Sequence, residues 1–435
     1  MTISKHTYRF LGSLLCLLGL LSGSAFAQTQ QADSSYFEIN GREDRRVTIP
    51  FELINNLVVI EAQINGSTPL KFIVDTGVRY TLITSLYNRE VYLNSTRIIN
   101  LAGLGEGEVL QAYFSEGNIL DIDRVSGRNM EVVILQEDIF KLASFMGTEV
   151  HGLIGYDLFK NFVVEINYKR KHIYLYKPEE FEEKFEKLPR HRKWHEVSLF
   201  LDERKSYVNV DYHSPVTDST VPLRLLVDTG SSNAFSLYEL AHPAIKVPEN
   251  TIDTFLGTGL SGDVTGELGR IPSIQLDEFT FEEPVVAYPD SISIRRAFKI
   301  GKRQGSIGGE AFRRFKVIFH YQNEAMYMRK NSDFGDEFHY NASGIEVHTP
   351  IANLPYYVIS DVRKGSPAEE AGVKVGDVIQ YLNRRPVESY TLNEVHNRFY
   401  NKEGSRIRMT VLRDDTARLE FNFRMKDELQ LQMDN

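Results

Sequence analysis

Apolar positions along the chain fall into short runs rich in β-branched and aromatic residues, set apart by Gly, Pro or Asn. Leu57-Val58-Val59-Ile60, continued by Ala62 and Ile64, predicts one strand, and Phe72-Ile73-Val74 predicts the next. Farther along, Val163, Val164, Ile166 and Tyr168 lead into Ile173-Tyr174-Leu175-Tyr176, the pattern of a β-hairpin. The series then repeats. Tyr207-Val208-Asn209-Val210 and Leu225-Leu226-Val227 stand where the first two runs stood, and Phe315, Val317, Ile318 and Phe319 lead to Met326-Tyr327-Met328. Helical spacing of apolar positions is clear at Leu392, Val395, His396 and Phe399, on residues 392–400. The chain reads as mainly β with few helices.

Each second run of the repeat ends in the same triplet, Asp75-Thr76-Gly77 and Asp228-Thr229-Gly230. A second pair of motifs keeps the offset: Gly152-Leu153-Ile154-Gly155 and Gly305-Ser306-Ile307-Gly308. Residues 75 and 228 differ by 153, as do 155 and 308, which marks an internal duplication. An Asp directly after a buried strand sits where a cleft can open; Thr offers a hydroxyl to hold the turn, and Gly permits close backbone approach. Two copies predict two carboxylates meeting across one cleft.

At 435 residues the chain has room for about three domains, each with its own core. Lys5 and Arg9 precede an apolar stretch over residues 10–21 and then Ser24-Ala25-Phe26-Ala27, which reads as a secretory signal, residues 1–27, cleaved after Ala27. The only cysteine, Cys16, lies inside it, so the mature chain is expected to have no disulfides. Removing the signal takes away two basic residues and no acid, moving the formal charge from −9 to −11. That balance gives no electrostatic case for nucleic acid or an anionic membrane. The expected location is exported, in a periplasmic or extracellular space. His151 and His213 have no metal-ligand spacing, and no metal or cofactor is expected. Asn65, Asn94 and Asn341 begin Asn-x-Ser/Thr triplets, which are glycosylation sites only in a host that uses them.

Composition sets the boundaries. Residues 179–193 are rich in Glu, Lys, Arg and Pro and read as a linker between a first lobe, 36–178, and a second, 194–330. Residues 330–340 read as a similar solvated connector to a third unit, 344–428. There Gly365-Ser366-Pro367-Ala368, Ala371-Gly372-Val373 and Gly376-Asp377-Val378-Ile379 have the spacing of a PDZ domain, which this segment resembles. The resemblance implies a groove for an extended peptide, often a C-terminus, between a sheet edge at Tyr357, Val358 and Ile359 and the helix face of Leu392, Val395, His396 and Phe399. The loop before that expected edge, Asn353-Leu354-Pro355, lacks a glycine-rich carboxylate cradle.

With strand, Asp-Thr-Gly and apolar-Gly segments in both copies, residues 36–330 resemble the two-lobed aspartic proteases of the pepsin and retropepsin group. The resemblance implies two duplicated retropepsin-like β-barrel lobes forming a pseudo-dimer, with Asp75 and Asp228 as catalytic pair. It also implies support from Thr76, Gly77, Thr229, Gly230, Ser231, Ile154, Gly155, Ile307 and Gly308. By the same resemblance, the glycine-rich segments holding Gly103, Gly105 and Gly107, and Gly257, Gly259 and Gly262, are flap hairpins over a substrate, or else ordinary turns. The first triplet departs from the family in Val78-Arg79, whereas the second continues with Ser231-Ser232. The Ser231 hydroxyl is expected to bond Asp228 and favour its charged form, making Asp228 the base and Asp75 the acid.

The expected function is an endopeptidase acting on peptides or proteins, with the PDZ unit assisting docking. The alternative is an inactive protease-like scaffold that binds peptides through the same cleft. Truncation near Asp336 is expected to leave a folded two-lobe body that loses activity on proteins and keeps it on short peptides.

Overall fold

The computed structural model describes residues 35–40, 46–87, 89–101, 110–185, 193–216, 219–298 and 303–430. The signal expected in residues 1–27 lies outside them. No helix among the described residues is long and apolar enough to cross a membrane.

The two halves share one strand topology. In the first, Leu70–Val74 lies between Leu57–Ile64, antiparallel to it, and Gly152–Ile154, parallel to it. Gly152–Ile154 is in turn antiparallel to Thr81–Ile83, the strand that follows the Asp-Thr-Gly turn. In the second half, Thr220–Asp228 lies between Lys205–His213 and Gly305–Gly308, and the latter pairs with Phe235–Leu237. A distant strand is thus threaded between the two that flank each Asp-Thr-Gly. Its glycines make room: a Cβ at Gly152 would stand 1.9 Å from the Leu82 carbonyl oxygen, and one at Gly305 2.0 Å from that of Ser236. Any side chain there would push the threaded strand out.

A six-stranded sheet joins the halves in the order His195–Ser198, Ala325–Lys330, Phe315–His320, Val163–Asn167, His172–Tyr176, Val47–Pro50. The two terminal hairpins read from the sequence meet at its centre, where Val163–Asn167 runs antiparallel to Phe315–His320. Three strands from each half lie in mirrored order about that pair. Phe159, Phe312 and Phe319 are fully buried behind it, with Phe159 and Phe319 edge to face at 5.3 Å. Each such ring contributes about 1.5–3 kcal/mol by leaving water.

The third unit has its strands in the order Ile345–His348, Tyr357–Val362, Val378–Leu382, Arg406–Arg413, Ala417–Arg424. Its helix Leu392–Phe399 opens on a capping box of Thr391 and Glu394 and buries Leu392, Val395, His396 and Phe399, the face read from the spacing. The sheet edge is a different matter. Tyr357–Val362 is paired on both sides, so Tyr357, Val358 and Ile359 do not form an edge; the edge beside the helix is Ile345–His348. The loop before that edge is accordingly 340–344 and not Asn353-Leu354-Pro355.

Polar groups along this edge are already engaged within the chain. Ile345 N–H donates to Ser343 Oγ at 3.1 Å, Asn341 Nδ2 donates to the Ile345 carbonyl at 2.7 Å, and His396 Nε2 donates to the Val347 carbonyl at 3.0 Å. Just past its end, Thr349 N–H donates to the Ser144 carbonyl of the first lobe at 2.9 Å, and Asn55 N–H donates to Asn393 Oδ1 at 2.9 Å. The first-lobe helix Leu142–Met146 is packed against both the edge strand and the helix Leu392–Phe399.

Residues 331–340 are exposed at Ser332, Gly335, Asp336, Glu337 and His339, as a solvated connector would be, but are also held from beneath. Arg314, with no exposed surface, donates to the carbonyls of Phe334, Asp336 and Glu337 and pairs with Glu310 Oε1 at 2.8 Å, while its guanidinium lies over the Phe338 ring at 3.6 Å. One buried cation thus organises the segment's backbone. Arg314→Met is expected to cost about 3–5 kcal/mol, because it leaves the carbonyls of Phe334, Asp336 and Glu337 without their donor, while Glu310 keeps only its pairing with Arg313. A denaturant midpoint equal to wild type would mean that solvent holds this segment as well as Arg314 does.

Candidate active site

Asp75 and Asp228 are brought together and buried, at 0 and 1% exposure. The strands Leu70–Val74 and Thr220–Asp228 carry the two triplets to the junction of the lobes, where the threonines interlock. Thr76 Oγ1 donates to the Val227 carbonyl and Thr229 Oγ1 to the Val74 carbonyl, each at 2.8 Å. Each threonine N–H then donates to the other's hydroxyl oxygen at 3.1 Å. The lattice is symmetric and fully bonded, so it fixes the two aspartate turns against each other.

Gly77 N–H donates to Asp75 Oδ1 at 2.7 Å. A Cβ at Gly77 would stand 3.1 Å from Asp75 Oδ1 and 3.2 Å from Asp228 Oδ1, so both carboxyl groups border the same small space. A Cβ at Gly230 would stand 2.3 Å from Asp75 Oδ2 and displace that carboxyl. The threaded strands supply the remaining support. Asp75 N–H donates to the Ile154 carbonyl at 2.8 Å, Asp228 pairs with Gly308, and Ile307 is fully buried beside Val227. A Cβ at Gly155 would meet the Asp75 carbonyl oxygen at 2.4 Å.

Val78, the departure from the family pattern, keeps the backbone role of its counterpart. Its carbonyl accepts from Tyr156 N–H at 3.2 Å, as that of Ser231 accepts from Gly309 N–H at 2.7 Å. Its side chain joins an apolar cluster with Leu57, Leu82, Val150 and Leu260. The departure changes the lining and leaves the turn intact.

Burial, and then the charge of Asp228, pushes the Asp75 carboxyl well above the usual range. Burial also pushes Asp228 up, to about 7, but the Arg303 guanidinium, the Gly230 amide and the Lys205 ammonium pull against it. Burial thus raises both carboxyls, and the charges that oppose it at Asp228 are cationic, whereas the one at Asp75 that adds to it is Asp228 itself. The expected contribution of Ser231 is corrected. No donor among the described residues makes a well-formed hydrogen bond to either Asp228 oxygen, and the groups that favour its charge are the Arg303 guanidinium, the Gly230 amide and the Lys205 ammonium rather than the Ser231 hydroxyl.

Lys205 and Arg303 are the residues that sequence reasoning missed. Their exposures are 4 and 5%. Lys205–His213 pairs with Thr220–Asp228 through Tyr207 and Leu226, and the same register sets Lys205 level with Asp228. That register was the available signal, since Lys205 stands two residues before the apolar run at Tyr207.

The second glycine-rich segment forms a hairpin of Thr251–Gly259 with Gly262–Arg270, in which Gly257 follows a bulge and Gly259 pairs with Gly262. Its tip residue Leu260 is buried in the first-lobe cluster with Val78. The hairpin therefore reaches across to the opposite lobe. Gly103, Gly105 and Gly107 lie outside the described residues, between the paired strands Thr96–Leu101 and Leu110–Ile122.

Residues 60–158 match a family model described as aspartyl protease, and residues 358–413 match one described as PDZ domain. No curated protein matches the chain. The second lobe repeats the strand topology of the matched first one, so the fold around both aspartates is of one kind. The chain is mainly β, and joins an aspartyl protease domain to a C-terminal PDZ domain.

Proposed function

We propose that the protein is an aspartic endopeptidase in which Asp75 and Asp228 together activate one water. The observation that carries this reading is the reciprocal threonine lattice, which holds two buried carboxyls around one space. Two like charges so placed do not both ionise near neutrality, and the pair holds one proton. Asp228 takes a proton from water as the oxygen attacks a peptide carbonyl. Asp75 donates its proton to the developing oxyanion, and the pair then protonates the leaving amine. Because the hairpin tip at Leu260 packs on the opposite lobe, substrate access requires that hairpin to lift.

Export belongs to the same proposal and rests on the pattern in residues 5–27 alone. Docking of peptides on the PDZ unit is also part of it. An added strand at Ile345–His348 competes with Asn341, Ser343 and His396, so docking there requires those bonds to be released.

Hydrolysis of a diverse peptide mixture tests the reaction class. It is expected to continue in a chelator and in serine- or cysteine-directed reagents. A peptide bearing a non-hydrolysable hydroxyl isostere of the tetrahedral intermediate is expected to stop it. Sensitivity to a chelator or to a serine reagent would sink the reading.

The pH profile follows from the charges. Since Asp228 must be ionised to act as base, kcat/KM is expected to rise with pH through about 7. Lys205 favours the ionised form, so Lys205→Met moves that limb to higher pH, whereas Ser231→Ala leaves it in place. A limb that moves with Ser231→Ala and ignores Lys205→Met would restore the hydroxyl as the controlling group.

A further inference from the structure

The duplicated cleft is not symmetric in charge. The register that sets Lys205 level with Asp228 sets Leu57 level with Asp75 in the first lobe, since Val59 pairs with Ile73. The offset of 153 likewise matches Arg303 to Val150. One half thus carries two buried cations where the other carries two fully buried aliphatic side chains.

Neither cation is bonded to an anion among the described residues. Among the described residues Lys205 makes no ion pair within 4 Å, and the two terminal nitrogens of Arg303 are buried without a hydrogen-bond partner. The Arg303 guanidinium lies 5.6 Å from the centre of the Tyr238 ring, which offers a face and no charge. The acids that act on Lys205 are the dyad, which carries one charge between its two members, and Glu203, which is exposed. Burial, and then the charge of the Arg303 guanidinium, push the Lys205 ammonium down, to about 7. The Arg303 guanidinium, charged at every working pH, is thus left with both terminal nitrogens unbonded.

We infer that Lys205 and Arg303 form an anion-binding subsite beside Asp228 that receives a carboxylate of the peptide substrate, while the matching position beside Asp75 is apolar. The carboxylate belongs either to an Asp or Glu side chain near the scissile bond or to the C-terminus of a short substrate; both have the geometry a guanidinium binds with two nitrogens. The inference rests on the cleft being a peptide cleft, as proposed above.

The test uses matched fluorescent peptides carrying Glu or Gln at each position next to the scissile bond, each made as the free acid and as the C-terminal amide. Affinity is measured by anisotropy on Asp75→Asn, and kcat/KM on the wild type and on Arg303→Gln. The expected result is a preference of about tenfold to a hundredfold for the carboxylate over its amide, at a single position, that collapses in Arg303→Gln. A preference that follows Glu over Gln assigns the side chain; one that follows acid over amide at the terminus assigns the C-terminus. Equal affinity across the whole set overturns the subsite. Carboxylate-selective binding with no cleavage by the wild type keeps the subsite and overturns the protease reading, whereas cleavage without selectivity does the reverse. Arg303→Glu adds a check that a purely structural role does not pass: it is expected to shift the preference toward Lys at the same position, with an unchanged far-ultraviolet spectrum confirming the fold.

Discussion

Cutting the chain after Asp336 is expected to yield lobes that fail to fold stably, with activity on short and long substrates lost together. The hydrophobic core runs without a break from the lobes into residues 338–429, through Phe338, Tyr340, Met425 and Leu429. Phe338 packs on Phe281 at 6.3 Å and under Arg314, so its removal opens the second lobe. Arg314 also loses the Glu337 carbonyl, and Arg270 loses the Phe338 carbonyl and Asp427. The first lobe loses the Thr349 and Asn393 contacts to its helix and turn. Each large side chain removed from the core is worth about 1.5–3 kcal/mol, and domain stability is only about 5–15 kcal/mol in all. The expectation of a free-standing two-lobe body is therefore reversed. Thermal unfolding of the truncated and full chains measures it: a truncated protein with the wild-type Tm and undiminished peptide hydrolysis would make the PDZ unit a detachable module.

Asp75→Asn and Asp228→Asn are each expected to stabilise the protein near neutral pH while abolishing its chemistry. Both carboxyls titrate above the unfolded value of about 3.9, so the folded state binds more protons and stability falls as pH rises from about 4 through about 7. Asparagine carries no charge to desolvate and keeps an acceptor for the Gly77 amide. At pH 7.5 the gain is on the order of a few kcal/mol, or several degrees in Tm, and near pH 4 it disappears. Variants less stable than wild type at pH 7.5 would mean that the carboxylates are held by interactions stronger than their burial. The site thus trades stability for a base that ionises in the working range.

The repeat was legible because it is written in local order: a strand, a triplet, and a strand threaded in at a constant distance. Asp75, Thr76, Asp228 and Thr229 were read for that reason, and so was the buried helix face at Leu392, Val395, His396 and Phe399. What escaped is set by contacts between distant segments. Which PDZ strand forms the edge depends on sheet order, and Tyr357–Val362 looks no different in sequence from an edge strand. The polar stretch at 331–337 reads as solvated until Arg314, a charged residue at the start of an apolar run, is found beneath it. Lys205 and Arg303 were passed over for the same reason. Each stands at a strand end, where a cation is ordinarily solvated, and only the folded structure shows it buried.

The most direct test of the central claim is the rate at which purified wild-type protein, Asp75→Asn and Asp228→Asn cleave one peptide mixture, with products followed by mass spectrometry between pH 5 and 8. The expected result is hydrolysis by the wild type and a loss of about a thousandfold or more in each variant, since each removes one member of the proton-sharing pair. Cleavage by either variant at the wild-type rate, with the same products, would contradict a water activated between Asp75 and Asp228.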